Sequence, residues 1–514
     1  YLQIQEIIRY ISKKHKNYSQ QAKIEYYMDK ATKYPEILSS NIKAISAIMA
    51  PIRASIGPKG LDVMLVDEFG AFTCTNDGVE ILANIKIDHP VAKLAVEAAK
   101  SQETQVGDGA STVAILCDSI LQAALEKINL GASPNRIAEG IAIANTQILK
   151  ELQASSIQIK DLNDPALKAI SKISARGSEE IASLITEAMS KSQDPNDLAN
   201  SIIARCGLES KVIDGHFIKK KSHFKYSREF KNINLVLVQG PMEPEPMSSE
   251  AINTNEGVKK YENNIQSLME AAKKIVKAGS QAIICSASMF PAMEEFFARE
   301  GVFVLTHVKD SDIKTLEKIS GAKSITRNQL ISSDIETLKT LNSKLNSIML
   351  SEELGGFIFQ GPKAQRASIL ISAETETILN ERKRIAIDAC KAMAAAAKSG
   401  YVLGEGIAEL NVIPAIEKLK TQYQDEEIIL GIEVMIKALS TIFDQIVLNA
   451  GFNPHELKNK LKSASTGIDL STGSSIDLIE QGILDPLAVK SSAFKIATEI
   501  ASQILRINMI VQAR

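Results

Sequence analysis

The run Gly107-Asp108-Gly109-Ala110-Ser111-Thr112 places two glycines, a carboxylate and two hydroxyls at the mouth of an apolar-periodic stretch. Val113, Leu116, Cys117, Ile120, Leu121, Ala124 and Ile128 then recur at helical spacing, which predicts a helix starting at this run. A helix N-terminus presents unpaired backbone N–H groups and a positive dipole end, both suited to phosphate oxygens. Glycines let the backbone approach those oxygens closely. Asp108 repels phosphate unless Mg²⁺ sits between them, a small hard cation that is held by one or two carboxylates plus phosphates. The run therefore reads as a nucleotide–Mg²⁺ loop, and it is not a Walker A sequence. Taken alone, the hexapeptide serves equally as an Asp-Gly turn capping an ordinary helix.

Length and charge narrow the class. At 514 residues, a chain of ordinary domain size holds about three domains. A hydrophobic fraction of 45% is enough for large cores. Lys+Arg 59 against Asp+Glu 61 leaves no electrostatic footprint for nucleic acid. No apolar run reaches the ~18 residues of a membrane span, and no secretory signal is visible. The five cysteines are scattered without a CxxC pair and read as reduced thiols, so the expected location is cytoplasmic. Six histidines without HxxH or HExxH spacing argue against a zinc site. Expected partners thus include neither nucleic acid nor membrane.

Along the chain, residues 1–34 are polar and charged and read as an extension. Helical periodicity dominates from Asn41 to about Leu152, with one strand pair, Val63–Val66 and Ala71–Thr75, joined by Asp67-Glu68-Phe69-Gly70. Short amphipathic helices follow, broken at Asp164-Pro165, Arg176-Gly177 and Asp194-Pro195. Near Gly207 the texture changes. Ile233–Val238, Ala282–Ile284 and Val302–Leu305 are β-branched runs separated by helical segments, which predicts an α/β module. Within it, a Pro- and polar-rich stretch from Pro241 to Gly257 precedes a long helical segment, Lys259 to Lys277. From about Ser368 the chain reads as helical again.

Further motifs surround the opening run. Gly57-Pro58-Lys59-Gly60-Leu61-Asp62, Met64-Leu65-Val66-Asp67, Thr75-Asn76-Asp77-Gly78-Val79 and Asp88-His89-Pro90 lead into it. Gly467-Ile468-Asp469, Gly482-Ile483-Leu484-Asp485-Pro486 and Ala497-Thr498-Glu499 close the chain. In this order the series resembles the chaperonins (TCP-1/cpn60), and the group II, thermosome-like type more than the bacterial type. An archaeal chain fits the resemblance, and so does the archaeal-type (group III) chaperonin of some bacteria. The resemblance implies a multidomain α and α/β fold with a mainly helical equatorial ATPase domain, a small intermediate hinge domain and an α/β apical domain. It implies a nested order: equatorial 35–152, intermediate 153–206, apical 207–365, intermediate 366–400 and equatorial 401–514. The segment about 242–268 matches the helical protrusion that acts as a built-in lid, so no separate co-chaperonin lid is expected.

The resemblance also assigns roles. Asp108 is the Mg²⁺ ligand, while Gly109, Ala110, Ser111 and Thr112 contact phosphate of ATP. Ser55, Ile56, Gly57 and Pro58 match a loop that packs on the nucleotide. Asn76, Asp77 and Gly78 match a second phosphate-side loop, in which Asp77 helps hold the attacking water. Asp388 matches the intermediate-domain aspartate that activates this water. Arg176 stands where relatives often carry a lysine that senses the γ-phosphate, and Asp485 matches an acidic residue near ribose and adenine. Gly404, Glu405 and Gly406 replace a usual triple glycine, so the Glu405 side chain either crowds or re-aims the nucleotide or points to solvent. Ala110 and Ala54-Ser55 replace hydroxyl-bearing residues of the family pattern. The implied function is an ATP-hydrolysing chaperone subunit. It forms double rings with identical or homologous subunits and encloses unfolded client proteins. The alternative is a chaperonin-like scaffold with weak or absent ATPase. Met242, Met247, Ile252, Ile265, Leu268 and Met269 are apolar candidates for client contact, but each is better explained by local packing and none is named as a site.

Overall fold

The computed structural model describes residues 34–507, apart from 71, 193–194, 223, 225, 227 and 247–253. The 1–33 extension, Met247 and Ile252 lie outside the described residues. The chain divides into two compact units, one formed by residues up to Lys160 with those from Ala395 onward, the other by Asp161–Ala394.

The first unit opens with α1 (Tyr34–Ser55), the hairpin β1 (Val63–Val66) and β2 (Phe72–Thr75), α2 (Gly78–Asn84), α3 (Pro90–Val106), α4 (Ala110–Asn129) and α5 (Pro134–Ala154). The hairpin pairs Val63 with Thr75 and Val66 with Phe72, around the turn read from Asp67-Glu68-Phe69-Gly70. Helix α4 buries residues on every side, including Val113, Ile115, Leu116 and Ile120, which is why its sequence is apolar beyond a single stripe. It forms the axis of the large helical core.

In the second unit, α6 (Pro165–Ser174) and α7 (Glu179–Lys191) precede β3 (Ile202–Ala204), β4 (Lys211–Asp214), β5 (His216–Ile218) and β6 (Glu229–Gln239). Then come α8 (Asn255–Lys277), β7 (Ala282–Cys285), α9 (Pro291–Arg299), β8 (Phe303–Leu305), α10 (Asp310–Ser320), β9 (Ile325–Thr326), β10 (Ser343–Ser351), β11 (Gly356–Gln360) and β12 (Ala367–Ile371). The three β-branched runs of the sequence are parallel neighbours, β6-β7-β8, within a sheet ordered β5-β11-β10-β6-β7-β8. Helix α8 starts on Thr254, whose side chain accepts from the Gly257 N–H. Met242 and Leu268 are fully buried, so both pack the core of this unit.

After α11 (Glu376–Ser399), the first unit resumes with β13 (Tyr401–Leu403), α12 (Ile407–Lys420), α13 (Glu426–Asn449), the hairpin β14 (Thr466–Asp469) and β15 (Ser474–Asp477), β16 (Leu484–Pro486) and α14 (Leu487–Leu505). Two readings of the sequence change here. Residues 367–371 form a central strand between β3 and β4, and the return to helix begins only at Glu376. The segment after 401 carries two small β pairs among its helices. These strands are short, and apart from the β14–β15 hairpin their partners are distant in sequence.

Candidate nucleotide site

Two loops of the first unit meet at the N-terminus of α4, and a third is tied to the same helix farther along. Helix α3 ends in a left-handed Gly107, and Gly109, at φ 89°, begins α4 with no side chain to cap it. The first N–H groups of α4 therefore lie open at the helix end. The Asp108 carboxylate accepts from the Gly109 N–H at 2.6 Å. Behind this turn, the buried Gln102 amide donates to the carbonyls of Asp108 (2.9 Å) and Val489 (3.1 Å). A β-carbon on Gly109 would lie 2.7 Å from the Val489 side chain, so this position requires glycine for space as well as for φ.

The second loop lies directly on this helix start. Asp77 caps α2 by accepting from the Val79 N–H at 2.8 Å, and its own N–H donates to Thr75 Oγ1. A β-carbon on Gly78 would stand 2.2 Å from Ser111 Oγ, so Gly78 and the first turn of α4 are in contact. The third loop follows α1. Asn449 donates to the carbonyls of Arg53 and Ile56, both at 2.8 Å, and the Leu61 N–H returns to the Ala54 carbonyl at 2.9 Å. Arg53 pairs with the buried Asp118 of α4, which ties the root of this loop to the same helix.

The segment 483–490 joins the remaining residues to this cluster. Gly404 donates to the Ile483 carbonyl at 2.9 Å, and Val402 pairs with Asp485 across β13 and β16. Asp485 meets Lys490 at 2.9 Å, and Lys490 meets Glu409 at 2.7 Å. The Glu405 side chain does not point freely to solvent. At φ 58°, its half-buried carboxylate turns to β14 and accepts from the Ile468 N–H at 3.3 Å. Gly467 makes room for it, since a β-carbon there would lie 2.8 Å from Glu405 Oε2. Burial, with Asp469 nearby, pushes the Glu405 carboxyl up to about 7.

Arg176 and Asp388 belong to the second unit and share one chain of ion pairs. Glu381 accepts from Arg176 at 2.9 Å and from Arg384 at 2.8 Å, and Arg384 reaches Asp388 at 3.2 Å. Gln102, Asn449, Glu409, Lys490, Glu381 and Arg384 escape sequence reasoning. Only Lys490 and Glu409 leave a trace, as charges set at apolar-periodic positions.

Residues 48–514 match the TCP-1/cpn60 chaperonin family. The chain belongs to that family. It is 31% identical over 504 residues to the thermosome subunit beta of Desulfurococcus mucosus, covering 92% of this chain and 99% of that protein. It is 29% identical to the thermosome subunit alpha of Thermoplasma acidophilum, covering 92% and 91%. A solved group III chaperonin in the open state superimposes with a TM-score of 0.79 at 30% identity, over 93% of this chain and 99% of that one. This chaperonin accordingly has the mixed, predominantly helical architecture of thermosome-like subunits, with equatorial, intermediate and apical parts. Its function is that of the family, a subunit of an ATP-dependent protein-folding chamber. Among the described residues, no helix is long and apolar enough to cross a membrane.

Proposed function

We propose that this chaperonin subunit hydrolyses ATP with Mg²⁺ at the start of α4. The observation that carries this reading is the contact of Gly78 with Ser111, which sets the Asp77 loop against an uncapped helix N-terminus that also bears Asp108. Gly109, strained and crowded for any β-carbon, and Gly78, where a β-carbon would displace the Ser111 hydroxyl, make a cradle where backbone can meet phosphate. The same turn carries a carboxylate for the cation, so the donor set fits Mg²⁺. When bound, Mg²⁺ neutralises phosphate charge and orients the transferring group.

The residues of the chain divide the remaining work. Asp108 holds the cation, and the N–H groups of Gly109 to Thr112 with the Ser111 and Thr112 hydroxyls receive phosphate. Ser55 to Pro58 and Asn76 to Gly78 line the flanks, and Asp77 holds the attacking water. Gly404, Gly406 and Asp485 face the nucleoside, while Glu405 supports this loop from the side of β14. Asp388 activates water and Arg176 senses the terminal phosphate, roles taken from the family pattern. The boundaries 35–152, 153–206, 207–365, 366–400 and 401–514 complete the reading, with 242–268 as the lid.

Assembly is supported by the β1–β2 hairpin. Leu61, Met64, Val66, Phe69 and Phe72 expose between 62% and 95% of their surface, an apolar patch of the kind that marks a protein contact. We assign this hairpin to subunit contacts in a ring that encloses unfolded chains in the cytoplasm.

The test is Mg²⁺-dependent ATP hydrolysis by size-fractionated protein, with Asp388→Ala alongside. Turnover in a particle of ring size, reduced at least ~10²-fold in the assembled variant, is expected. A large particle without turnover in either protein would instead support the scaffold reading.

A further inference from the structure

Lys490, Glu409 and Asp485 form a buried charge cluster whose makeup does not serve stability. The Lys490 side chain is 5% exposed, with Nζ 2.7 Å from Glu409 Oε1 and 2.9 Å from Asp485 Oδ2. The Glu409 side chain is 0% exposed, and its Oε2 has no hydrogen-bond partner among the described residues. Asp485, at 28%, is the one member that reaches solvent. Two carboxylates on one ammonium leave a net charge of −1 in a core, and desolvation of buried ions commonly outweighs their attraction. A single Lys490–Glu409 pair would already balance the ammonium's charge. The second carboxylate therefore points to a role in orientation.

Position says what is being oriented. Asp485 stands on β16 opposite Val402, and the Ile483 carbonyl accepts from Gly404 of the Gly404-Glu405-Gly406 loop. On the other side, the Val489 carbonyl shares the Gln102 amide with the Asp108 carbonyl, and its side chain fills the space beside Gly109. Asp485 thus lies on the short segment between two loops of the candidate site. Lys490 binds one oxygen, Oδ2, and this fixes the rotamer of a carboxylate that remains partly open to solvent.

We propose that Lys490, anchored by Glu409, is a positioning residue that clamps Asp485 so that its other oxygen accepts from the ribose hydroxyls of the nucleotide, making the site selective for ribonucleotides. This rests on the reading of Asp485 as a nucleoside-facing residue. Burial alone would push the Lys490 ammonium down, but Asp485 and Glu409 outweigh it and hold the group above its ordinary range, so the clamp stays charged.

The experiment is calorimetric binding of ADP and of 2′,3′-dideoxy-ADP to the assembled protein. A hydrogen bond to a charged acceptor is worth about tenfold or more in affinity, so the parent should prefer ADP by at least that factor. Lys490→Met should weaken ADP alone and bring the two Kd values within about twofold. A merely structural lesion would weaken both ligands together and keep their ratio. Because removing one partner of a buried pair is itself destabilising, the double variant Lys490→Met with Glu409→Leu, which replaces the pair by apolar side chains, should fold and show the same lost preference. Retention of the full preference in either variant overturns the clamp. Asp485→Asn separates the two levels of the argument. If it abolishes the preference while the Lys490 variants keep it, only the clamp fails. If it changes nothing, Asp485 does not face the ribose, and both readings fall.

Discussion

Glu405 holds a left-handed backbone conformation that an L side chain enters at a cost of about 1–3 kcal/mol, and it carries a carboxyl whose ionisation burial opposes, with its pKa pushed up to about 7. The group facing it from the hairpin is Asp469, and the Ile468 N–H acts in the opposite direction by favouring the carboxylate. The sign follows from linkage. Below pH about 4.5 the carboxyl is neutral in both folded and unfolded chains, and its contribution to stability is complete. Between about 4.5 and 7 the unfolded chain ionises first, so stability falls as pH rises. At pH 8 the deficit is about 2 kcal/mol once partial exposure is allowed for. Glu405→Gln should therefore melt above the parent at pH 8 and match it near pH 4.5. A constant difference across this range would show that the residue acts through shape alone. At this scale the sequence was partly legible. Glu405 stood out as a departure between two glycines, but its direction was not readable, because the acceptor site at Ile468 lies 63 positions away.

Among the elements, the start of α4 illustrates local rules that tertiary contacts then complete. A left-handed glycine on each side of Asp108 ends α3 and begins α4, and sequence alone locates that junction. The approach of α2 to it is another matter, since nothing in Asn76-Asp77-Gly78 names Ser111 as its neighbour. Gly78→Ala tests this contact. The added methyl collides with Ser111 Oγ, a rotatable atom, whereas the next neighbours, Ser111 Cβ and Ile52 Cγ2, stand at 3.3 and 3.5 Å. The hydroxyl should swing away, with a stability loss under about 1 kcal/mol and an ATP affinity reduced about tenfold. Adding Ser111→Ala should relieve the collision without restoring affinity. Titrations of ATP binding and thermal melts on the same samples would reveal the split, and equal losses in both would count against it. Short strands were the elements least legible in advance. Residues 367–371 pair with β3 and β4, and 466–469 with 474–477, so their identity rests on partners or on one brief hairpin instead of a sustained period.

For the whole molecule, the β1–β2 hairpin is the feature that one chain leaves unfinished. Phe69 is 95% exposed, and Cys74 on the same hairpin is exposed as well. Phe69→Glu with Phe72→Glu should release single subunits, seen as a fall in sedimentation coefficient with helix content retained. The Cys74 thiol should be slow to alkylate in the parent assembly and fast in this variant. The buried Cys117 and Cys285, their thiols pushed up to about 12 and about 11 by burial, should stay inert in both. An unchanged particle size would move the ring contact elsewhere on the surface.

Sequence by itself determined where α4 begins, that the three β-branched runs belong to an α/β module, and which glycine and aspartate residues have the chemistry of a phosphate–Mg²⁺ turn. Those properties are local: backbone freedom at glycine, capping, and apolar spacing within one element. Tertiary structure alone decided that Gly78 rests on Ser111, that Glu405 turns beneath β14, and that Lys490 lies between Glu409 and Asp485. It also joined Gln102 to Val489 across 387 positions of chain. Such contacts depend on how helices of the first unit pack around α4, and packing selects partners by shape and by the need to satisfy buried polar groups, neither of which has a period in sequence.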